Sequence, residues 1–284
     1  MPKKIAIVTD STACLSDELI KKHNIYINYL MIVFGTDSYE EFKEISPSKF
    51  IELSTASKEL PSTSQPAIGS TIEIYEKILA EGYEEIIHLT LSSVLSGTYS
   101  SAVSAAEMVD SEKIHIFDTK GIAYVQGGIA IEAANLAKEG KTVAEIIPRL
   151  TYLVENMYMA AAINDLTYLK KGGRISAFAA SLGSLLQVKP IIGMTPVGGL
   201  DPAGKLRTFK KAIAFLVDAA KNANLDPKKD EIGILHMENP EALAQMKAMV
   251  MEIYPGISIM ELPLSLVVAV HAGPGAVGLG WLKK

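Results

Sequence analysis

The sequence predicts an α/β protein in two parts: a doubly wound domain with a parallel sheet over residues 1–155, then an α+β domain over 156–284. Short apolar, β-branched runs alternate with helical segments through the first part, the spacing that parallel strands need for their crossovers. Small hydroxyl residues cluster where strands end and helices begin. Past Met157 the alternation gives way to glycine turns and strands of less regular spacing.

Ile5-Ala6-Ile7-Val8 reads as a buried strand stopped by Asp10-Ser11-Thr12. Residues 15–22 read as a helix capped by Ser16, residues 25–34 as the next strand region, and Ser46-Pro47 as the start of a helix reaching Thr55. The prolines at 61 and 66 bar a helix from the stretch between them, which must be an ordered loop. A helix over 69–81, a strand over 85–91, a helix opening at Leu95-Ser96-Gly97-Thr98, a strand over 114–117 and an Ala-rich helix over 122–139 complete the first part.

In the second part Met159 to Ile163 fits either strand or helix, and Leu169 to Arg174 reads as a turn with two glycines. A strand is expected over 189–194 and another at Lys205-Leu206-Arg207, near a hairpin containing Gly198-Gly199. Helices over 209–222 and 240–253 flank a strand over 231–237. Two strands, around Ile257 to Met260 and Ser265 to Val270, are expected to close the chain.

Composition narrows the function classes. The chain has 284 residues, 49% hydrophobic and 21% charged, as globular proteins do. A net charge of -5 disfavours a nucleic-acid partner. The apolar run after Lys4 is too short for a secretory signal, and no run approaches the ~18–20 residues of a membrane span. Cys14 is the single cysteine, which excludes internal disulfides and cysteine-built metal sites. These features point to a cytoplasmic protein. Phosphate-loop, dinucleotide and HExxH motifs are absent, which disfavours the usual nucleotide-binding and metalloprotease classes.

Three motifs set small polar groups beside glycine or proline: Ser62-Thr63-Ser64-Gln65-Pro66, Ser92 to Thr98, and His271-Ala272-Gly273-Pro274-Gly275-Ala276. The second lies between a strand end and a helix start, where ligands of open α/β sheets sit and where free N–H groups favour anions. Each also has an ordinary reading: a turn, a helix cap, and a structural histidine. Arg174, after Lys170, Lys171 and two glycines, is either a solvated basic turn or a docking point for an anion or partner. Asp10-Ser11-Thr12 fits a capped turn better than a phosphate or metal site.

Taken in order, Ile7 to Ala13, Thr63 to Pro66, Leu95 to Tyr99, Leu169 to Ser176 and His271 to Ala276 resemble the DegV family across nearly the whole chain. The resemblance implies a two-domain DegV-like fold that buries a long-chain fatty acid and has no catalytic residues or metal of its own. It implies no cofactor. Thr63, Ser96 and His271 are the implied carboxylate contacts, with Ser64, Gly97 and Thr98 as neighbours. The implied partner is a separate ATP-binding fatty acid kinase subunit of bacteria, which makes an acyl phosphate for phospholipid synthesis. Arg174 falls where that partner docks, and contact with a membrane surface is at most transient. Val94 departs from the glycine frequent there in the family, and Cys14 from an acidic residue.

An apolar tunnel is consistent with the eleven methionines and with walls drawn from 157–163, 182–186 and 262–270, although ordinary core packing explains such residues equally. At about 0.8 kcal/mol per methylene, a sixteen-carbon tail contributes on the order of 10 kcal/mol before ordering costs. A head-group site of hydroxyls and one imidazole, without arginine, leaves a carboxylate able to attack a phosphate. The rival reading is a serine acyl hydrolase with Ser96 as nucleophile and His271 as base; Ser96 lacks the GxSxG setting, and no acid is evidently placed to orient His271.

Overall fold

The computed structural model describes residues 3–57, 59–164, 166–174 and 188–284. Ile175, Ser176 and the expected wall segment 182–186 lie outside them.

The first part is built on four parallel strands in the order β2-β1-β6-β7. They are β1 (Ile5–Asp10), β2 (Ile25–Asn28), β6 (Glu85–Thr90) and β7 (Ile114–Asp118), joined through α1 (Asp17–His23), α3 (Ile68–Ala80) and α4 (Thr98–Val109). Both faces are covered, so β1 is apolar at consecutive positions rather than alternating. Ala6 and Val8 pack with Tyr75, Ile78, Ala105 and Ala106 of α3 and α4. Ile5 and Ile7 face the other way, into a cluster with Ile129, Ala130 and Ala133 of α5 (Tyr124–Lys138).

The segment expected as one strand over 25–34 divides. Its second half, β3 (Met31–Phe34), leaves the parallel sheet and pairs antiparallel with β4 (Asp37–Glu40) and β5 (Ser62–Ser64). The proline-bounded loop therefore contains a short strand, with Thr63 opposite Ile32. Helix α2 (Pro47–Ala56) links β4 to β5, with the Ser46 hydroxyl accepting from Lys49 N at 3.2 Å. Helix α6 (Val143–Glu155), which carries Pro148, was not expected from the sequence; Thr142 and Glu145 form a capping box at its start.

The second part carries a six-stranded mixed sheet in the order β10-β9-β8-β13-β11-β12. Its strands are β8 (Met157–Ala162), β9 (Lys189–Met194), β10 (Leu200–Leu206), β11 (Glu231–His236), β12 (Ser258–Pro263) and β13 (Val277–Leu282). Helices α8 (Phe209–Asn222) and α9 (Pro240–Ile253) cover one face, with Ile213, Leu216, Met246 and Val250 in the core. Helix α5 covers part of the other.

Three expectations are corrected here. Leu169 to Gly172 is the end of a helix, α7 (Leu166–Gly172), and the turn follows at Gly173, where φ is +67°. Residues 266–272 form a helix, α10 (Leu266–Ala272), instead of a strand: the Ser265 hydroxyl accepts from Val268 N at 3.2 Å and starts the helix despite its valines. The closing strand is β13, hidden in sequence by Gly278 and Gly280. Its Trp281 stacks on the paired Tyr158 of β8 at 4.1 Å between ring centroids.

Helix α5 touches both large sheets, and the approach requires glycine. A Cβ on Gly127 would stand 2.5 Å from the Ala13 carbonyl oxygen and 3.0 Å from Leu15 Cδ2. Alanine is the better helix former by about 1 kcal/mol. Overpacking against backbone costs about 1–3 kcal/mol and wins, because the carbonyl cannot swing aside as a side chain can. Gly127→Ala is expected to destabilise the protein by about 1–2 kcal/mol, read as a lower urea midpoint at unchanged slope. A midpoint at or above that of the parent would refute the close approach.

Candidate functional site

A strongly apolar cavity lies between the parallel sheet, the three-stranded sheet and the face of the mixed sheet opposite α8 and α9. Its room for water-sized molecules is about 120 Å³, below the ~300–1,000 Å³ of typical small-molecule sites. Leu30, Ile122, Met159, Ile192, Met194 and Val267 are among its walls. Two of the expected wall segments contribute: 157–163 through Met159, Ala160, Ala161 and Ile163, and 262–270 through Leu264, Val267 and Val268.

Thr63, Ser96 and His271 all line this cavity, although they are far apart in sequence. Strand pairing of β5 with β3 presents Thr63. The turn after β6 presents Ser96, held where Ser92 N donates to the Gly121 carbonyl at 2.8 Å and Ser96 N to the Ser92 carbonyl at 3.3 Å. The last turn of α10 presents His271. Thr63 Oγ1 and His271 Nε2 are 2.9 Å apart. Ser64 also lines the cavity; Thr98 is buried behind Ser96, their hydroxyls 2.9 Å apart. Gly97 is exposed at the start of α4, with the Gln65 side chain laid against it.

The tautomer of His271 follows from its surroundings. Nδ1 is buried without a hydrogen-bond partner, and it faces Gly172, where a Cβ would lie 2.3 Å away. A buried N–H with no acceptor is costlier than a bare lone pair, so we assign the proton to Nε2. Nε2–H then donates to Thr63 Oγ1, which leaves the Thr63 hydroxyl proton free for a ligand. In the same way Thr98 can donate to Ser96 and free the Ser96 proton. Burial, aided by the Arg174 charge, holds the His271 pKa down at about 4, so the imidazole is neutral at pH 7.

Arg174 lines the same cavity. Its Nη1 donates to the Gly172 carbonyl at 2.8 Å and its Nε to the Leu95 carbonyl at 3.4 Å. The site is therefore not free of arginine, as the sequence suggested; a cation stands at its edge. Asp10-Ser11-Thr12 is a capped turn. Fully buried Asp10 accepts from Thr12 N at 3.1 Å and from Leu91 N at 2.7 Å. Burial raises its pKa, and these hydrogen bonds oppose the rise.

Among the described residues, Ser96 and His271 share no hydrogen bond and no carboxylate meets His271 Nδ1. Leu30, Gln65 and Ala123 also line the cavity. Gln65 stood in a quoted motif, whereas Leu30 and Ala123 carried no signal beyond being apolar.

An apolar chamber lined in part by hydroxyls and a neutral imidazole, with Arg174 at its edge, defines an α/β protein with a built cavity. A family model described as "Uncharacterised protein, DegV family" matches residues 4–284, and the chain belongs to the DegV family. Protein DegV of Bacillus subtilis is 34% identical over 281 residues, 99% of each chain. A DegV domain-containing protein of Halalkalibacterium halodurans is 33% identical over 278 residues, 98% of each. Among solved structures, DegV of B. subtilis, described as a fatty acid binding protein, matches with a TM-score of 0.88 at 35% identity, covering 99% of this chain and 100% of that one. A DegV family protein from Thermus thermophilus, described by its fatty acid binding, gives 0.91 at 27% identity over 99% and 100%. A stearic acid-binding protein from Eubacterium ventriosum gives 0.89 at 25% identity over 99% and 98%.

Gly172→Ala is expected to push the imidazole of His271 toward Thr63 or out of the cavity. The resulting change in the His271 ring resonances, with fold stability within about 1–3 kcal/mol of the parent, checks this; unchanged resonances would separate Gly172 from the site.

Proposed function

We propose that this protein binds a long-chain fatty acid in the cavity, with Thr63, Ser96 and His271 as hydrogen-bond partners of the carboxylate, and performs no chemistry on it. The observation that carries the reading is that these three side chains line one apolar cavity, with Thr63 and His271 in hydrogen-bond contact. Whole-chain similarity to proteins described as fatty acid binding supports the ligand class. Burial of the tail supplies affinity at about 0.8 kcal/mol per methylene, while the donors offset the desolvation of the head.

By the family resemblance, the bound acid is presented to a separate ATP-binding kinase subunit that makes the acyl phosphate, with Arg174 at the docking surface. The neutral site suits that role. A carboxylate locked in a bidentate arginine pair would be a poor nucleophile, and here the arginine is occupied by two backbone carbonyls. The hydrolase reading fares worse, since no acid orients His271 and Ser96 is turned to Thr98.

Mass spectrometry of lipid extracted from the purified protein is expected to yield a long-chain fatty acid; a polar ligand, or none together with no uptake of palmitate, would overturn the proposal. Thr63→Ala, Ser96→Ala and His271→Ala are each expected to weaken palmitate binding about 10-fold or more, equivalent to about 1.5–3 kcal/mol per bond to a charged group. A p-nitrophenyl acyl ester should give neither burst nor turnover. Because an anion beside the ring favours the imidazolium, palmitate should raise the His271 pKa above its ligand-free value of about 4, which an NMR titration reads directly.

A further inference from the structure

Glu41 lies outside every motif that the proposed function uses, yet it is completely buried. Its Oε1 accepts from Val267 N, in the first turn of α10, at 3.0 Å across 226 residues of sequence. Its own N–H donates to the Leu30 carbonyl at 2.9 Å, and Leu30 N in turn donates to Ser11 Oγ at 3.0 Å. Oε2 has no hydrogen-bond partner.

Helix α10 has only seven residues and carries cavity-lining Val267 and Val268 near its start and His271 near its end. So short a helix has little stability of its own and takes its position from what holds its ends. The holds on its start are Glu41 on Val267 N, Ser265 Oγ on Val268 N at 3.2 Å, and Cys14 Sγ accepting from Ser265 N at 3.2 Å. Glu41 is the only carboxyl among these three acceptors, and it ties the helix to Leu30, a wall of the same cavity.

We propose that Glu41 is a positioning residue for the head-group site: its buried carboxyl seats the start of α10 and thereby sets how His271 meets Thr63. The inference rests on the proposed fatty-acid site for its functional meaning, although its structural content concerns the ligand-free protein.

The same carboxyl makes the seat responsive to pH. Burial lifts the Glu41 pKa from 4.5 to about 7, against the opposing pull of Ser11, Val267 N, Ser265 and Leu266 N. The titratable groups facing it are Cys14 from the turn after β1, itself next to Asp10, and Tyr29 between β2 and β3. Burial holds Asp10 and Cys14 toward their protonated forms and raises Tyr29 as well. His271 itself titrates far lower, near 4. For a carboxyl whose folded pKa is raised, the stability it contributes is complete below about 4.5 and is lost as the pH climbs through about 7.

The test uses the full chain with 15N-labelled histidine, the His271 signals being assigned by their loss in His271→Asn. In the parent, the His271 ring resonances should shift with a midpoint near 7 without the ring becoming protonated. In Glu41→Gln, which keeps an acceptor but cannot ionise, the shift should vanish and palmitate affinity at pH 6 should stay within threefold of the parent. In Glu41→Ala, affinity should fall 10-fold or more and the resonances should move at every pH. Superimposable profiles for the parent and Glu41→Gln would overturn the inference, and they decide it even if Glu41→Ala does not fold. A parent that shows the His271 shift but binds no palmitate would sink the proposed function and leave this inference standing. Palmitate binding with unaltered profiles would do the reverse.

Discussion

Helix α5 fills the gap between two sheets, and the tandem Gly127-Gly128 sets how near those sheets can come. Gly127 leaves room for the Ala13 carbonyl on the parallel-sheet side, and Gly128 for Leu282 of the mixed sheet. Interiors packed to crystal density transmit such constraints, because neighbours cannot yield without opening voids. The start of α5 lies at the cavity, where Ile122 and Ala123 form part of the wall. Ala123 adopts φ +59°, in a region disfavoured for any residue with a Cβ, and its N–H donates to the Thr12 carbonyl at 2.9 Å. That local strain is held in place by the surrounding packing and sits beside the ligand chamber.

A buried polar network fastens the same helix to the strand ends. Gln126 of α5 donates to Thr9 Oγ1 at 3.1 Å and accepts from Thr12 Oγ1 at 2.8 Å. Thr12 N also donates to Asp10, at 3.1 Å, and the other Asp10 oxygen takes Leu91 N. Leu91 begins the turn that presents Ser96, so the network fixes one of the three head-group loops from behind. Partly satisfied networks of this kind are costly, whereas satisfied ones rigidify; here both Asp10 oxygens are occupied by donors. The sequence motif Asp10-Ser11-Thr12 is thus a brace for the site and does not touch the chamber.

How much was legible follows from where the information resides. Strands β1 and β6 were readable because burial on both faces leaves continuous apolar runs between polar turns. The assignment of Thr63, Ser96 and His271 to a head-group site came from a family resemblance; their types and spacing alone fit caps and turns equally well. Helix α10 misled because Val267, Val268 and Val270 favour strands locally, while the deciding contacts come from Ser265 and from Glu41, distant in sequence. Strand β13 was invisible because Gly278 and Gly280 leave no alternating pattern, their places being taken by Met159 and by the Tyr158 backbone. Glu41, in Tyr39-Glu40-Glu41-Phe42, carries no local sequence mark of its burial.

The neutrality of the head-group end also constrains what the site can hold. His271 is kept uncharged by its burial and by the nearby Arg174, so the positive charge stays at the rim, on a side chain already engaged with the Gly172 and Leu95 carbonyls. On the proposed reading, two uncharged hydroxyl donors, Thr63 and Ser96, at about 1.5–3 kcal/mol each, with His271 Nε2–H supporting Thr63, offset much of the several kcal/mol needed to strip water from one carboxylate. The head then adds little net affinity and instead fixes which end of the ligand stands at the mouth. Strength has to come from the apolar walls, and it grows with each methylene that reaches them. On that reading a short-chain acid would meet the same hydroxyls and still bind weakly, so the chamber, more than its polar end, would select a long chain.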